Sequence, residues 1–369
     1  MTAELDWIVA RAHKSLSVIG ESPENTIIDG GGTIQVIFQI VADSVSLKNM
    51  TLQNTSPDPF AQAPAVRIHG VTDVSLQNVT VRNSAVGFEL HSSDLTEVSR
   101  CRISACSSTG IYLRDNSCNN IVAGNTIANC SIGIRFADMA SQGNKIYHDN
   151  FENNTEQVYS LGGTNYFDGG YPSGGNYWSD YLGVDSKTGS SQDQNGSDGI
   201  FDQGFSFDKY PLANLVTNVD IRISEQEFHV QVSTNMNISG WDFDVPEKSL
   251  DILVTPEQGI TGAVRVQIPR DLFSSENLTD WIVSFRANGS TPLQSLRMKD
   301  LENTYLYFTC NSTVEGEVQI SGTKVFAELT PLMMTMIFLS LTILVAVLSG
   351  KGRLRRRVSP TDSELHPPP

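Results

Sequence analysis

The sequence predicts an all-β protein: a parallel β-helix, then a small β-sandwich, then one C-terminal transmembrane helix. Three observations predict this order. A repeat of 22 to 24 residues runs between residues 36 and 160, short alternating strands fill 216–324, and an uncharged stretch occupies 329–350. The boundaries that follow are a β-helix over 1–163, a capping module over 164–212 and a membrane-proximal sandwich over 213–327. A transmembrane helix over 328–350 and a basic, disordered cytoplasmic tail over 351–369 complete the chain.

Five segments carry the repeat: LKNMTLQN from Leu47, LQNVTVRN from Leu76, VSRCRISA from Val98, VAGNTIAN from Val122 and IYHDNFEN from Ile146. Their spacings are 29, 22, 24 and 24, and the proline-bearing insert Thr55–Pro64 accounts for the long first step. In each unit an apolar residue recurs five positions on, at Leu52, Val81, Ile103, Ile127 and Phe151. Two residues later stands Asn54, Asn83, Asn129 or Asn153, with Ala105 as the exception. Such an Asn suits a left-handed turn and can bond to the next coil. A second strand leads each unit: AVRI from Ala65, GFEL from Gly87, GIYL from Gly110 and GIRF from Gly133. Leucine-rich repeats share the period but require a pattern that is absent here. Cys106 and Cys130 fall at equivalent positions of neighbouring coils, which makes them the disulfide candidate among five cysteines.

Residues 164–212 are rich in Gly, aromatic and Asp residues. Tyr177, Trp178 and Tyr181 need burial partners, so this segment reads as an ordered cap on the open end of the helix. Asp193, Asn195, Asp198 and Asp202 are the candidate calcium ligands, although Gly196 and Gln194 break an EF-hand register. Solvated turn chemistry is the competing reading. From Val216 to Lys324, short alternating strands with turns every 8 to 15 residues read as an antiparallel sandwich.

The anchor runs LTPLMMTMIFLSLTILVAVLSG, from Leu329 to Gly350. At about 1.5 Å per residue it just crosses a bilayer core. Lys351, Arg353, Arg355, Arg356 and Arg357 follow, and such a cluster stays cytoplasmic, which places the N-terminal domains outside the cell. Met1–Gly20 shows no cleavable export signal, so either an upstream signal precedes this sequence, the favoured expectation, or the C-terminal helix directs its own insertion. Ten sequons are glycosylation candidates: Asn49, Asn54, Asn78, Asn129, Asn153, Asn195, Asn237, Asn277, Asn288 and Asn311. Asp plus Glu number 41 against 25 Lys plus Arg, a net charge of −16 that argues against a nucleic-acid partner.

Strand alternation places one set of side chains on the outer face of the leading strands. Arg67, His69, Glu89, His91, Tyr112, Arg114 and Arg135 are the candidate ligand-binding residues there. Arg67, Glu89, Tyr112 and Arg135 recur at 22, 23 and 23 residues, so they should stack in a line about 15 Å long. An aromatic ring can stack on a sugar, and Arg can bind a carboxylate. Three readings stay open: a solvated face of charge-paired ladders, a glycan-binding face, and a catalytic face with no catalytic residue assigned. A hydrolase would need clustered carboxylates, and only Glu89 lies centrally.

The coils, with G-I-x-[LF] strands and GNTIAN at Gly124–Asn129, resemble NosD-like β-helix repeat proteins of the pectin-lyase-like superfamily. SLSVIGESPENTIIDGGG (Ser15–Gly32) is similar to their opening coil. GGNYWSDYLGVD (Gly174–Asp185), NGSDGI and DKYPL resemble the module that closes such helices in archaeal membrane-anchored surface proteins. GAVRVQIPRDLF and TYLYFTCNSTVEGEVQISGT resemble their membrane-proximal domain. The resemblance implies a right-handed helix and export, and on this fold an outer strand face forms the substrate groove of sugar-active enzymes. It does not fix an activity. Copper is not expected: the six His, at 13, 69, 91, 148, 229 and 366, are scattered, and no Met- or Cys-rich motif accompanies them. No cofactor is required by this reading. The expected function is a structural, adhesive or glycan-binding role at the cell envelope. The alternative is a lyase, hydrolase or epimerase acting on acidic polysaccharide.

Overall fold

Each repeat closes into one coil because its apolar residues alternate at strand period and turn inward together. The computed structural model describes residues 8–325, apart from 57, 59–61, 258–259, 288 and 312–313. The predicted span 328–350, the tail and Asn288 lie outside the described residues. Among the described residues no helix is long and apolar enough to cross a membrane.

One parallel sheet has seven strands in the order Ile8–Ala12, Val36–Ile40, Pro64–His69, Val86–His91, Thr109–Arg114, Ile132–Phe136 and Glu156–Ser160. A second, eleven-stranded sheet takes the remaining strands of each coil. Val66, Phe88, Ile111 and Ile134 align across the first sheet and are fully buried. Leu52, Val81, Ile103, Ile127 and Phe151 do the same in the second. Each such side chain contributes about 1.5–3 kcal/mol by leaving water. The glycines that open the leading strands are steric. A Cβ on Gly87, Gly110 or Gly133 would sit 2.4, 2.6 or 2.6 Å from a carbonyl oxygen of the next coil.

The coil corners are left-handed. Asn54, Asn83, Ala105, Asn129 and Asn153 all have φ between 53° and 56°. Ala105 is therefore an exception in residue type but not in conformation. Two more corners recur at the same spacing, Asn49, Asn78, Arg100, Gly124 and His148, and Ser44, Asp73, Leu95, Asn119 and Gly143, all at positive φ.

Inside two corners run amide ladders. The Asn120 side-chain oxygen accepts from the Thr96 backbone N–H at 2.8 Å, and Asn144 accepts from Asn120 at 2.9 Å. The second ladder runs Cys101, Asn125, Asp149, Asn176 and Asp208. In both, each amide nitrogen donates to a carbonyl one coil back, as Asn125 does to Val98 and Asn144 to Ser117. Asp149 cannot do so while ionised. It is fully buried, its Oδ2 has no partner, and burial pushes its carboxyl up to about 8.

The segment after Ser160 closes the stack. Tyr177–Trp178 pairs in parallel with the last coil, and the Trp178 ring stacks on Phe151 at 4.5 Å. Asp208 holds this lid by accepting from the Trp178 indole N–H at 2.9 Å and from the Asn176 backbone N–H at 2.7 Å. Beyond it, two five-stranded antiparallel sheets enclose a separate core that includes Phe273, Trp281 and Phe308.

Cys106 and Cys130 occupy stacked positions, as their spacing requires, yet the structure holds them as free thiols. Their backbones run parallel, so both side chains leave in the same direction and do not approach with disulfide torsion. The neighbouring Cys130 thiol, and then burial, push the Cys106 thiol well up.

Replacing Asp149 by Asn should stabilise the fold in a pH-dependent way. Between about pH 4 and 8 the folded Asp149 keeps a proton that the unfolded chain releases. Its contribution therefore declines as pH rises through that window, by up to about 1.4 kcal/mol per pH unit. Asp149→Asn is expected to melt higher than the parent, with the gap widening from pH 5 to pH 8. Thermal unfolding by circular dichroism measures this, and a gap that narrows with pH contradicts it.

Candidate functional site

The register of the first sheet brings the predicted line together. Arg67 pairs with Glu89, Glu89 with Tyr112, and Tyr112 with Arg135. The ladder is longer than the sequence reading: Arg11 and Gln39 precede it and Tyr159 follows it. Tyr159 lies 24 residues after Arg135, so the same period could have found it.

The face is organised by charge. Glu89 is 2% exposed because two guanidinium groups cover it. Arg67 Nε donates to Glu89 Oε2 at 2.5 Å, and Arg114 Nη1 lies 3.6 Å from Oε1. Arg114 also donates to Asp115 at 2.7 Å, and the same carboxylate oxygen lies 3.0 Å from His91 Nε2. His69 and His91 stack with ring centroids 4.3 Å apart. Burial, with His69 and Arg114 alongside, holds the His91 imidazole below its usual range.

The register of Tyr112 is the expected outward one, with Ile111 and Leu113 in the core, but the residue is only 6% exposed, against the exposed ring face expected. Arg135 lies 5.1 Å and Arg114 5.8 Å from its ring centre, so guanidinium groups occupy the faces expected to meet a sugar. Arg135 is itself held between Tyr112 and Tyr159, 5.2 Å from the latter. Its Nε is buried without a hydrogen-bond partner, and among the described residues it forms no ion pair.

A glycosidase would need two free carboxyl groups on this face. Glu89 is clamped by arginines, and Asp115 is engaged by Arg114 and His91. Asp138 accepts from the Asp115 and Ser141 backbone N–H groups at 2.6 and 2.8 Å.

The calcium candidates are engaged separately, as a hydrogen-bonded turn. Asp198 is fully buried and accepts from Gln192 and from the Ile200 N–H, both at 3.1 Å. Asp202 accepts from the Ser186 and Lys187 N–H groups at 2.9 Å. Asn195 is bound by Lys187 at 2.7 Å, and Asp193 is exposed. Among the described residues no three His, Cys, Asp or Glu side chains form a metal-binding group. Of the sequon residues, Asn78, Asn129, Asn153, Asn195, Asn237, Asn277 and Asn311 are exposed, while Asn49 and Asn54 are half-buried.

Residues 62–183 match the family model described as periplasmic copper-binding protein (NosD). The matched segment holds the coils with this face and the start of the closing module. The matched segment is NosD-like, and the chain folds there as a parallel β-helix. No curated protein and no solved structure matches it. The copper of that family description finds no fitting donor set on the described NosD-like coils. His91 is bound to Asp115, His148 is buried against Ser173, and the stacked pair His69 and His91 gains no third ligand.

Replacing Glu89 by Gln should leave Arg67 and Arg114 facing each other over a neutral group. The expected loss of folding stability is about 1–3 kcal/mol, the cost of a charged hydrogen bond with partly solvated partners. Chemical denaturation measures it, and a stability equal to the parent's would show that the clamp contributes nothing.

Proposed function

We propose that this NosD-like chain is a membrane-anchored extracellular binding protein, with an adhesive or structural role at the cell envelope. The outer face of its first sheet takes acidic glycans. The observation that carries this reading is Arg135, a guanidinium fixed between two tyrosine rings with no carboxylate partner among the described residues. Such a group is already ordered and partly desolvated, so a uronate carboxylate can be bound with little further entropy cost. The ladder repeats along the stack at the coil spacing of about 4.8 Å, close to the rise of a sugar ring in an extended chain. Arg67 and Arg114 keep the surrounding field positive in an otherwise acidic protein.

Arg135→Ala is expected to weaken binding of oligogalacturonate about ten- to a hundredfold, the size of one charged hydrogen bond. Neutral oligosaccharides should be unaffected. Calorimetric titration tests this, and equal affinity for parent and variant would remove the site.

The anchor is the apolar stretch 329–350 followed by five basic residues. Protease treatment of intact cells should release fragments from residues 8–325 and spare the basic tail. The reverse pattern would invert the topology.

A further inference from the structure

A recess lies where the β-helix, the closing module and the sandwich meet. Its volume is about 500 Å³, within the range of small-molecule sites. Tyr147 of the β-helix and Tyr166 at the start of the closing module form one wall, and Tyr166 is 53% exposed. The turn of the hairpin between Lys299 and Asn303 and the strand carrying Gln267 form the opposite wall.

The polar groups of this cleft divide into two kinds. Asp300 and Asp168 serve the backbone. Asp300 accepts from the Glu302 and Asn303 N–H groups at 2.8 and 2.7 Å and from the Tyr305 hydroxyl at 2.6 Å. Asp168 accepts from the Gly170 and Lys209 N–H groups at 3.0 and 3.3 Å. By contrast, the side chains of Lys145, Glu302, Gln267 and Asn303 line the cleft with no hydrogen bond or ion pair among the described residues. They offer one ammonium, one carboxylate and two amides to whatever enters.

We propose that this cleft binds an amino sugar, with the ring on Tyr166, the ammonium on Glu302 and the hydroxyls on Gln267, Asn303 and Lys145. The charge balance selects the class. Three carboxylates, Asp168, Asp300 and Glu302, face one lysine, so the recess repels uronates and favours a cation. An aromatic face beside a carboxylate suits a hydroxylated ammonium, because the ring contributes both stacking and cation–π attraction. An N-acetylated sugar keeps the shape but loses the charge.

The test is calorimetric titration of the full-length chain with a glucosamine tetramer, its N-acetylated counterpart and an oligogalacturonate. The glucosamine tetramer should bind. Glu302→Gln and Tyr166→Ala should each weaken it about fivefold, the size of an exposed ion pair or cation–π contact. Both side chains are exposed, so unchanged melting of the variants confirms that they fold. Arg135→Ala should leave this affinity unchanged, which separates the cleft from the first-sheet face. The proposal fails if the glucosamine tetramer does not bind, if the acetylated form binds as well, or if only Arg135→Ala weakens binding.

Discussion

The buried corner amides are the constraint on which the rest of this structure depends. A coil that turns three times in 22 to 24 residues must place backbone N–H groups where no strand can pair with them. Asn120, Asn144 and Asn165 form one column in which each side chain accepts from an N–H and donates to a carbonyl of the coil before it, while the backbone N–H groups of Asn120 and Asn144 bond to the next side chain along. Asn125, Asp149 and Asn176 form the next column. Because each member fixes both its neighbours, the coils share one register. That register makes the outer face a ladder of equivalent positions.

The same columns reach the other parts of the molecule. Asn176 hands its ladder to Asp208, which binds Trp178, so the closing module is an extension of the coil stack. The first sandwich strand, Val216–Ile223, lies along the corners of three successive coils. Asn150 exchanges two 2.8 Å hydrogen bonds with Val216, Asn218 donates to the Gly124 carbonyl at 2.8 Å, and Asp220 pairs with Arg100 at 2.9 Å. Gly124 permits this approach, since a Cβ there would lie 3.1 Å from the side chains of Asn218 and Gln231. Arg265, buried at the same junction, donates to the Pro172 and Ser173 carbonyls of the closing module. The sandwich is therefore bolted along the flank of the helix, not only joined to its end.

The local parts of this architecture were legible in the sequence. Strand alternation gave the inward set Phe88, Leu90, Ile111 and Leu113, and the period gave the pairing of Arg67, Glu89, Tyr112 and Arg135. What a period cannot give is coverage. Tyr112 points outward as its alternation requires, but its exposure depends on how the long arginines of adjacent coils fold over it. Likewise the interior role of Asn125 was hidden, because Met50, Val79 and Cys101 hold its place in earlier coils. The junction cleft was invisible, since Lys145, Tyr166, Gln267 and Glu302 are brought together only by docking of the sandwich.

That docking divides the surface by charge. The hydrogen bonds that fix the sandwich run to the corners of the second sheet and to the closing module. The outer face of the first sheet keeps Arg67, Arg114 and Arg135, with Glu89 buried beneath two of them. The junction gathers Asp168, Asp300 and Glu302 around a single lysine. In a chain of net charge −16, this face is a local concentration of arginines, two of them paired with Glu89 and Asp115. The coil ladder, by repeating one position along the stack, sets Arg67 and Arg135 in one strip with Glu89 and Tyr112 between them. The rigid corner bonds keep that strip and the acidic recess at fixed positions on one body.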